Sequence, residues 1–241
     1  MRTVRIASVS KLFTAWATMI AVEDGTTSLD TSVGQEGCTV RHLLSHAGGY
    51  SFDGVNPITS PERKRIYSNT GIEILAEHVA ERAGMSFADY LQEAVCTPLG
   101  LSSTSLEGSP AKDVVSNVSD CAKFTAELRR PTLLAKDTVR SMTTVHFPQL
   151  EGVVPGLGRF DPCPWGLGPE IRGTKAPHWT APHGSAATWG HFGGTGTFLW
   201  VDPVADVACV MLSNREFTEW GLEYWPAFND AVLAEAGQQR G

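Results

Sequence analysis

The sequence predicts an α/β plus all-α protein, in which an antiparallel sheet from the C-terminal third packs against helices. A helical subdomain spans roughly residues 26–150, and one domain of 1–241 takes its α/β part from residues 1–25 together with 151–241. Three observations carry this. From Lys11 to Glu23 apolar side chains fall on every face, which marks a helix buried in the middle of a protein. Residues 30–145 repeat helical spacing between Ser caps and Gly or Pro stops. The runs "GTFLWVDP" and "ADVACVMLSN" are β-rich and meet at Asp202-Pro203, as a hairpin would.

Taken in order, the central helix ends at Gly25, a C-cap residue. "TVRHLLSHAGG" (39–49) reads as a short helix closed by Gly48-Gly49. In "NTGIEILAEHVAERAG" (69–84), Ile72, Leu75, Ala76, Val79 and Ala80 lie on one helical face before a terminal glycine. "SFADYLQEAVCTPLG" and "SNVSDCAKFTAELRRP" add two Ser-capped helices, each stopped by proline. Residues 148–190, rich in Gly, Pro, His and Trp, read as loops over a site. The chain closes with "TEWGLEYWPAFNDAVLAEAG", an amphipathic helix. Six of seven tryptophans follow residue 160, so the β part holds either a Trp-filled core or an aromatic-walled pocket; the pattern fits both equally.

Composition narrows the function. At 42% hydrophobic and 19% charged, the chain is an ordinary globular sequence. A net charge of -7 without a basic run argues against nucleic acid as a partner. No apolar run approaches the roughly 18 residues of a membrane span, and "MRTVRIASVSK" lacks the apolar stretch of a signal peptide. Five scattered cysteines without a Cys-x-x-Cys pair suit reduced thiols in the cytoplasm.

The chemistry centres on Ser8-Val9-Ser10-Lys11. A serine hydroxyl is a weak nucleophile until a base takes its proton, and a lysine at i+3 lies on the same helix face. That lysine has to be partly neutral; burial and the positive helix N-terminus both push it there. A second match, Ser109-Pro110-Ala111-Lys112, leads into polar loop residues and lacks this setting. Tyr67-Ser68-Asn69 opens a helix and offers a phenol and an amide to a cleft. His191-Phe192-Gly193-Gly194 precedes the first strong strand, where glycine lets a ligand approach backbone N–H groups. His46-Ala47-Gly48 matches the same triplet, so the triplet alone is weak. His42 and His46 have metal-pair spacing but no Glu of an H-E-x-x-H and no third ligand, so no metal is expected. His178 and His183 read as loop residues, solvated or lining the cleft mouth. Nothing resembles a nucleotide-binding loop, and no cofactor is expected.

In this order, Ser8-Val9-Ser10-Lys11, Tyr67-Ser68-Asn69 and His191-Phe192-Gly193 resemble the S-x-x-K, Y-x-N and H/K-x-G elements of the penicillin-recognising serine hydrolases. That family joins class C β-lactamases, DD-carboxypeptidases and related esterases. The flanks "RIASVSKLFTA", "TVRHLLSHAGG", "YSNTGIEIL", "CTPLGLSSTSL" and "WGHFGGTGTFLWVDP" are similar too, over nearly the whole chain. The resemblance implies a β-lactamase/transpeptidase-like fold and a serine hydrolase that forms an acyl-enzyme on ester, amide or β-lactam carbonyls. It implies Ser8 as nucleophile, Lys11 and Tyr67 as proton carriers, and Asn69, His191 and Gly193 in substrate binding. The oxyanion hole falls to the backbone N–H groups of Ser8 and Gly194.

Two departures qualify the resemblance. His191 stands where class C lactamases carry a lysine, so a permanent cation for a substrate carboxylate is missing. The family normally has a helix and two strands before the S-x-x-K, against seven residues here. Either the start is misassigned or truncated, or a sheet edge and a face of the last helix are left for another copy to cover, as a homo-oligomer. Esterase, DD-peptidase or aminopeptidase, β-lactamase and acyltransferase all share the intermediate. The rival from another class is a catalytically inactive binding or scaffold protein of this fold.

Overall fold

A computed structural model describes residues 2–238. Seven α-helices lie along the described chain: α1 (Ser10–Glu23), α2 (Val40–Leu44), α3 (Asn69–Ala83), α4 (Phe87–Leu91), α5 (Val118–Arg129), α6 (Lys136–Met142) and α7 (Glu219–Gln238). The strands are β1 (Val4–Arg5), β2 (Arg65–Ile66), β3 (Ser105–Leu106), β4 (Val114–Ser116), β5 (Gly152–Val154), β6 (Gly158–Phe160), β7 (Glu170–Ile171), β8 (Trp189–Gly193), β9 (Thr197–Asp202) and β10 (Val207–Leu212). They form an antiparallel sheet β10-β9-β8-β7 and two small sheets, β1-β4-β3 and β2-β5-β6. No helix among the described residues is long and apolar enough to cross a membrane.

The expected hairpin is β9–β10, with Thr197 opposite Leu212 and Asp202 opposite Val207. Asp202 folds the turn by accepting the backbone N–H groups of Val204 (2.9 Å) and Ala205 (3.0 Å). β10 pairs with β9 alone among the described residues. On α7, Leu222, Tyr224 and Phe228 are exposed.

Helix α1 is buried on nearly all sides and organises the larger core, with Phe13 stacked on Phe124 of α5 at 3.7 Å. Its second core lies between the sheet and α7. Trp200 donates its indole N–H to Asn229 (2.9 Å), and Asn229 donates to the Trp179 carbonyl (3.0 Å), so Asn229 bridges two tryptophans of this interior, while the Trp225 indole N–H is buried without a partner. Gly221, Trp225 and Asn229, one helical turn apart, are the face of α7 that turns inward.

Four local expectations need correction. Helix α2 ends at Ser45, and the chain reverses at His46, which has φ +56, not at Gly48-Gly49. The cap of α5 is Asn117, whose side chain accepts the Asp120 N–H. The helix from Ser86 becomes a π-helical turn at Gln92–Cys96 before its proline. Residues 148–190 also contain three short strands, β5, β6 and β7, not loops alone.

Candidate active site

The nucleophile candidate sits on a 3-10 turn, Ala7–Val9, immediately before α1. Three clamps fix this turn. Ile6 donates its N–H to the Val114 carbonyl of β4 (3.0 Å). Thr195 and Thr197 donate their hydroxyls to the Arg5 and Ile6 carbonyls, each at 2.9 Å. Ala7 has φ +45, a region unfavourable for a residue with a Cβ, so the backbone just before Ser8 is held in a strained shape by its surroundings.

Lys11, one turn into α1, is fully buried and points back at this turn. Its ammonium donates to Ser8 Oγ (3.3 Å), Asn69 Oδ1 (2.7 Å) and the Ala111 carbonyl (3.0 Å). Burial pulls its pKa from 10.5 to about 7; Glu73 opposes that fall and Lys112 assists it. The lysine is thus divided between charged and neutral forms near neutral pH. The second S-x-x-K tetrapeptide turns out to be its support: Ala111 supplies a ligand carbonyl, and Ser109 donates its hydroxyl to Glu73.

Asn69, expected to hold substrate, is occupied at both ends of its amide. Its oxygen takes Lys11, and its Nδ2 donates to Asp53 (3.0 Å), which lies 3.9 Å from Lys112. Asn69 therefore orients the lysine.

Tyr67 lies just before the N-cap of α3, Ser68, which accepts the Gly71 N–H (2.9 Å). Its ring lies 4.5 Å from Lys11 Nζ, and its buried hydroxyl has no hydrogen-bond partner of good geometry. Burial drives the phenol pKa far above 10, with the nearby Ser8 hydroxyl opposing, so Tyr67 rests as a neutral phenol. Lys11, not a tyrosinate, is the base available in the resting site.

His191 on β8 donates Nδ1–H to its neighbour's carbonyl, Phe192 O (2.7 Å), which leaves Nε2 as a buried, unpartnered acceptor. Burial and then Lys11 push its pKa down to about 3, so it is neutral at any ordinary pH. Ser8, Tyr67, Trp165, His191 and Gly194 line one cavity of about 210 Å³.

Gly193, expected to bind substrate, is also closely packed. A Cβ there would meet Ile6 O and Thr197 Oγ1 at 2.5 Å and Ala7 Cβ at 3.0 Å, so it is the glycine that lets the nucleophile turn press against β8. Gly194, by contrast, has open space around the position of a Cβ and lines the cavity together with Ser8.

Three residues of the site escaped sequence reasoning. His46 accepts the Ser68 N–H through Nδ1 (3.3 Å) and stacks on Tyr67 with centroids 4.8 Å apart. Burial, with Lys11 next, holds it neutral. Trp165 packs on His46 (5.0 Å), Tyr67 (5.8 Å) and His191 (5.8 Å), and so is a pocket wall, whereas Trp179, Trp200 and Trp225 fill core. Phe52 covers the outer side of Tyr67 at 5.8 Å. The chance-looking triplet at His46 was a signal for the first; nothing in the local sequence singled out the others.

The remaining histidines lie elsewhere. His42 bonds Glu62 (2.9 Å) and Thr39, and so stabilises α2. His183 is exposed and bonds Asp230 (2.8 Å). His178 is buried, not solvated: with Lys175 (3.2 Å) and Trp179 (2.7 Å) it surrounds the Glu170 carboxylate of β7 (3.1 Å). Although burial raises the Glu170 pKa, Lys175 and His178 outweigh it and hold the carboxylate ionised.

A four-stranded antiparallel sheet, a buried helix beginning Ser-x-x-Lys and a facing Tyr-x-Asn define a β-lactamase/transpeptidase-like protein. A family model described as Beta-lactamase matches residues 3–234, and the chain belongs to that family. It is similar to a crystal structure of a β-lactamase from Mycobacterium bovis, with 47% identity, a TM-score of 0.96, and coverage of 98% of this chain and 88% of that one. A mutant simvastatin synthase from Aspergillus terreus shares the fold at 18% identity and a TM-score of 0.81, covering 98% and 81% of the two chains. A penicillin-binding protein of Bacillus subtilis (strain 168) is 27% identical over 132 residues, covering 41% of this chain. This chain spans 29% of that relative's length.

Proposed function

We propose that this protein, of serine hydrolase type by family, is a cofactor-independent hydrolase that works through an acyl-enzyme on Ser8. The observation that carries the reading is the buried Lys11 ammonium, 3.3 Å from Ser8 Oγ, with a pKa brought down to about 7. Neutral Lys11 takes the Ser8 proton as Oγ bonds to the substrate carbonyl carbon. The resulting oxyanion is received by the backbone N–H groups of Ser8 and Gly194. When the carbon–oxygen bond of the leaving group breaks, Tyr67 gives that alkoxide its proton and regains one from the Lys11 ammonium beneath its ring. Water then attacks the acyl carbon by the reverse route and frees Ser8.

The neutral imidazole of His191 favours substrates without a carboxylate at that position. Lys11 is committed to three protein acceptors, and Arg65 has its guanidinium on the carbonyls of Cys163 (2.6 Å), His146 (2.6 Å), Phe147 (3.0 Å) and Ser45. Simple esters or amides are therefore the better substrates, ahead of penicillins.

Intact mass after incubation with a p-nitrophenyl ester, and separately with a penicillin, tests the reading. A covalent adduct or product burst that disappears in Ser8→Ala is expected, and the ester is expected to clear faster. A folded protein that forms no Ser8-dependent adduct and turns over neither substrate would overturn it.

A further inference from the structure

A second cavity, of about 480 Å³, adjoins the first: Phe52, Tyr67 and Pro155 line both. Its floor is the parallel pair β2–β5, where Ile66 lies opposite Val153. Phe52 and Val153 are large apolar side chains left 49% and 56% exposed there. Arg65 contributes only its stem, since its guanidinium is tied to four carbonyls. The charges that remain, Lys64, Glu151 and Arg159, are joined to one another: Glu151 lies 3.7 Å from Lys64 and accepts from Arg159. The groove therefore offers apolar contact along its floor, with two cations against one carboxylate at Lys64, Arg159 and Glu151.

Where the groove meets the site decides what it holds. It joins at Tyr67, the leaving-group acid in the proposed mechanism, and it does not touch Ser8, His191 or Gly194. We propose that this groove binds the leaving alcohol of the substrate, so that the protein prefers esters of apolar alcohols with an extended alkyl or aryl body. The inference rests on the hydrolase reading above and adds the substrate class to it. The acyl group occupies the smaller cavity beside Ser8, and the alcohol passes between Phe52 and Pro155 into the larger one.

The test is a series of n-alkyl acetates from ethyl to decyl, followed by acid release. All of them pass through the same acetyl-enzyme, so differences in kcat/KM belong to the alcohol side alone. The expected result is a rise of two- to fourfold per methylene, fourfold corresponding to full burial of each CH2, levelling off once the groove is filled. Val153→Asp places a charge in the wall and is expected to flatten this slope; because the slope is a ratio within one variant, it does not depend on the active fraction. A parallel series of p-nitrophenyl esters lengthens the acyl side instead. A slope there with none in the acetates overturns the assignment of the groove to the alcohol, and flat lines in both overturn the groove.

Titrating Ser8→Ala with the same acetates by calorimetry separates the two claims. Affinity that climbs with chain length upholds the groove even if the native protein turns nothing over. Affinity independent of chain length overturns the groove whatever the turnover.

Discussion

Replacing Lys11 by methionine, which keeps the length of the stem and removes the titrating group, measures how far burial has tuned this lysine. The folded-state pKa is about 7 and the ordinary value 10.5, so the unfolded chain holds a proton that the folded one has lost between those limits. Stability therefore rises with pH across that window, and the Lys11 contribution is least favourable at and below about pH 7. Between pH 6 and 9 the folded lysine goes from nearly protonated to nearly neutral while the unfolded one stays charged. Integrating that difference gives about two pH units at ~1.4 kcal/mol each, or roughly 3 kcal/mol. Absolute stability is a poor readout, because Lys11→Met also strands Asn69 Oδ1 and the Ala111 carbonyl, at about 1–3 kcal/mol for each buried group. The slope is a better readout, since His46 and His191, which Lys11 also influences, are held neutral first by burial. Urea unfolding at pH 6, 7, 8 and 9 should show the native protein gaining about 3 kcal/mol relative to Lys11→Met. Acylation by p-nitrophenyl acetate should rise through an apparent pKa near 7 in the native protein and vanish in the variant. Parallel stability curves, or a kinetic limb above pH 9, would refute the idea that desolvation makes this lysine a base.

Three further outcomes follow from the geometry. Gly193→Ala drives a Cβ against Ile6 O and Thr197 Oγ1; misplacing the nucleophile turn should lower kcat for p-nitrophenyl acetate about 100-fold, whereas Gly194→Ala, with open space, should lose far less. His191, neutral down to about pH 3, protonates on unfolding below 6.5, so stability falls with acid. From pH 6.5 to 5, His191→Gln should lose ~1.5 kcal/mol less than the native protein in urea titrations. Glu170→Gln removes the anion from between buried Lys175 and His178 and should cost about 3–5 kcal/mol by urea unfolding; Glu151→Gln, whose partners are exposed, should cost far less in the same assay.

How much of this was legible in the sequence depends on the range of the interaction that decides each feature. The central helix, the β9–β10 hairpin and the Ser8–Lys11 pair are settled by residues within a turn or a short loop of one another, and local pattern finds them. The glycine at 193 and the asparagine at 69 were found by motif, but the motif could not say what their neighbours would be. Gly193 is required by Ile6 and Ala7, some 190 positions away in the chain. Asn69 bonds Lys11 and Asp53, partners that its motif does not name. The two S-x-x-K tetrapeptides make the same point. Both lie at the site, yet only the copy whose following helix is buried on every side gains a lysine poised near neutrality. The other lends that lysine a carbonyl from Ala111.

The pocket walls were the least legible part, and the reason is physical. Trp165 lies in an irregular segment with no period to read, and its role depends on His46, Tyr67 and His191 arriving from three other elements. His46 can take its place only because the chain reverses at that residue with φ +56, a conformation that sequence assigns to the glycines two positions later. That reversal turns the ring away from His42 and onto Tyr67. It also leaves Nδ1 to accept the Ser68 N–H and Nε2 to carry the proton. The tyrosine is thus enclosed by two neutral histidines, a tryptophan and the ring of Phe52. In such surroundings burial disfavours a phenolate, with the Ser8 hydroxyl opposing, and the Lys11 ammonium lies 4.5 Å from the ring. The apolar enclosure that lowers the Lys11 pKa also raises that of Tyr67, and burial is the largest cause of both shifts.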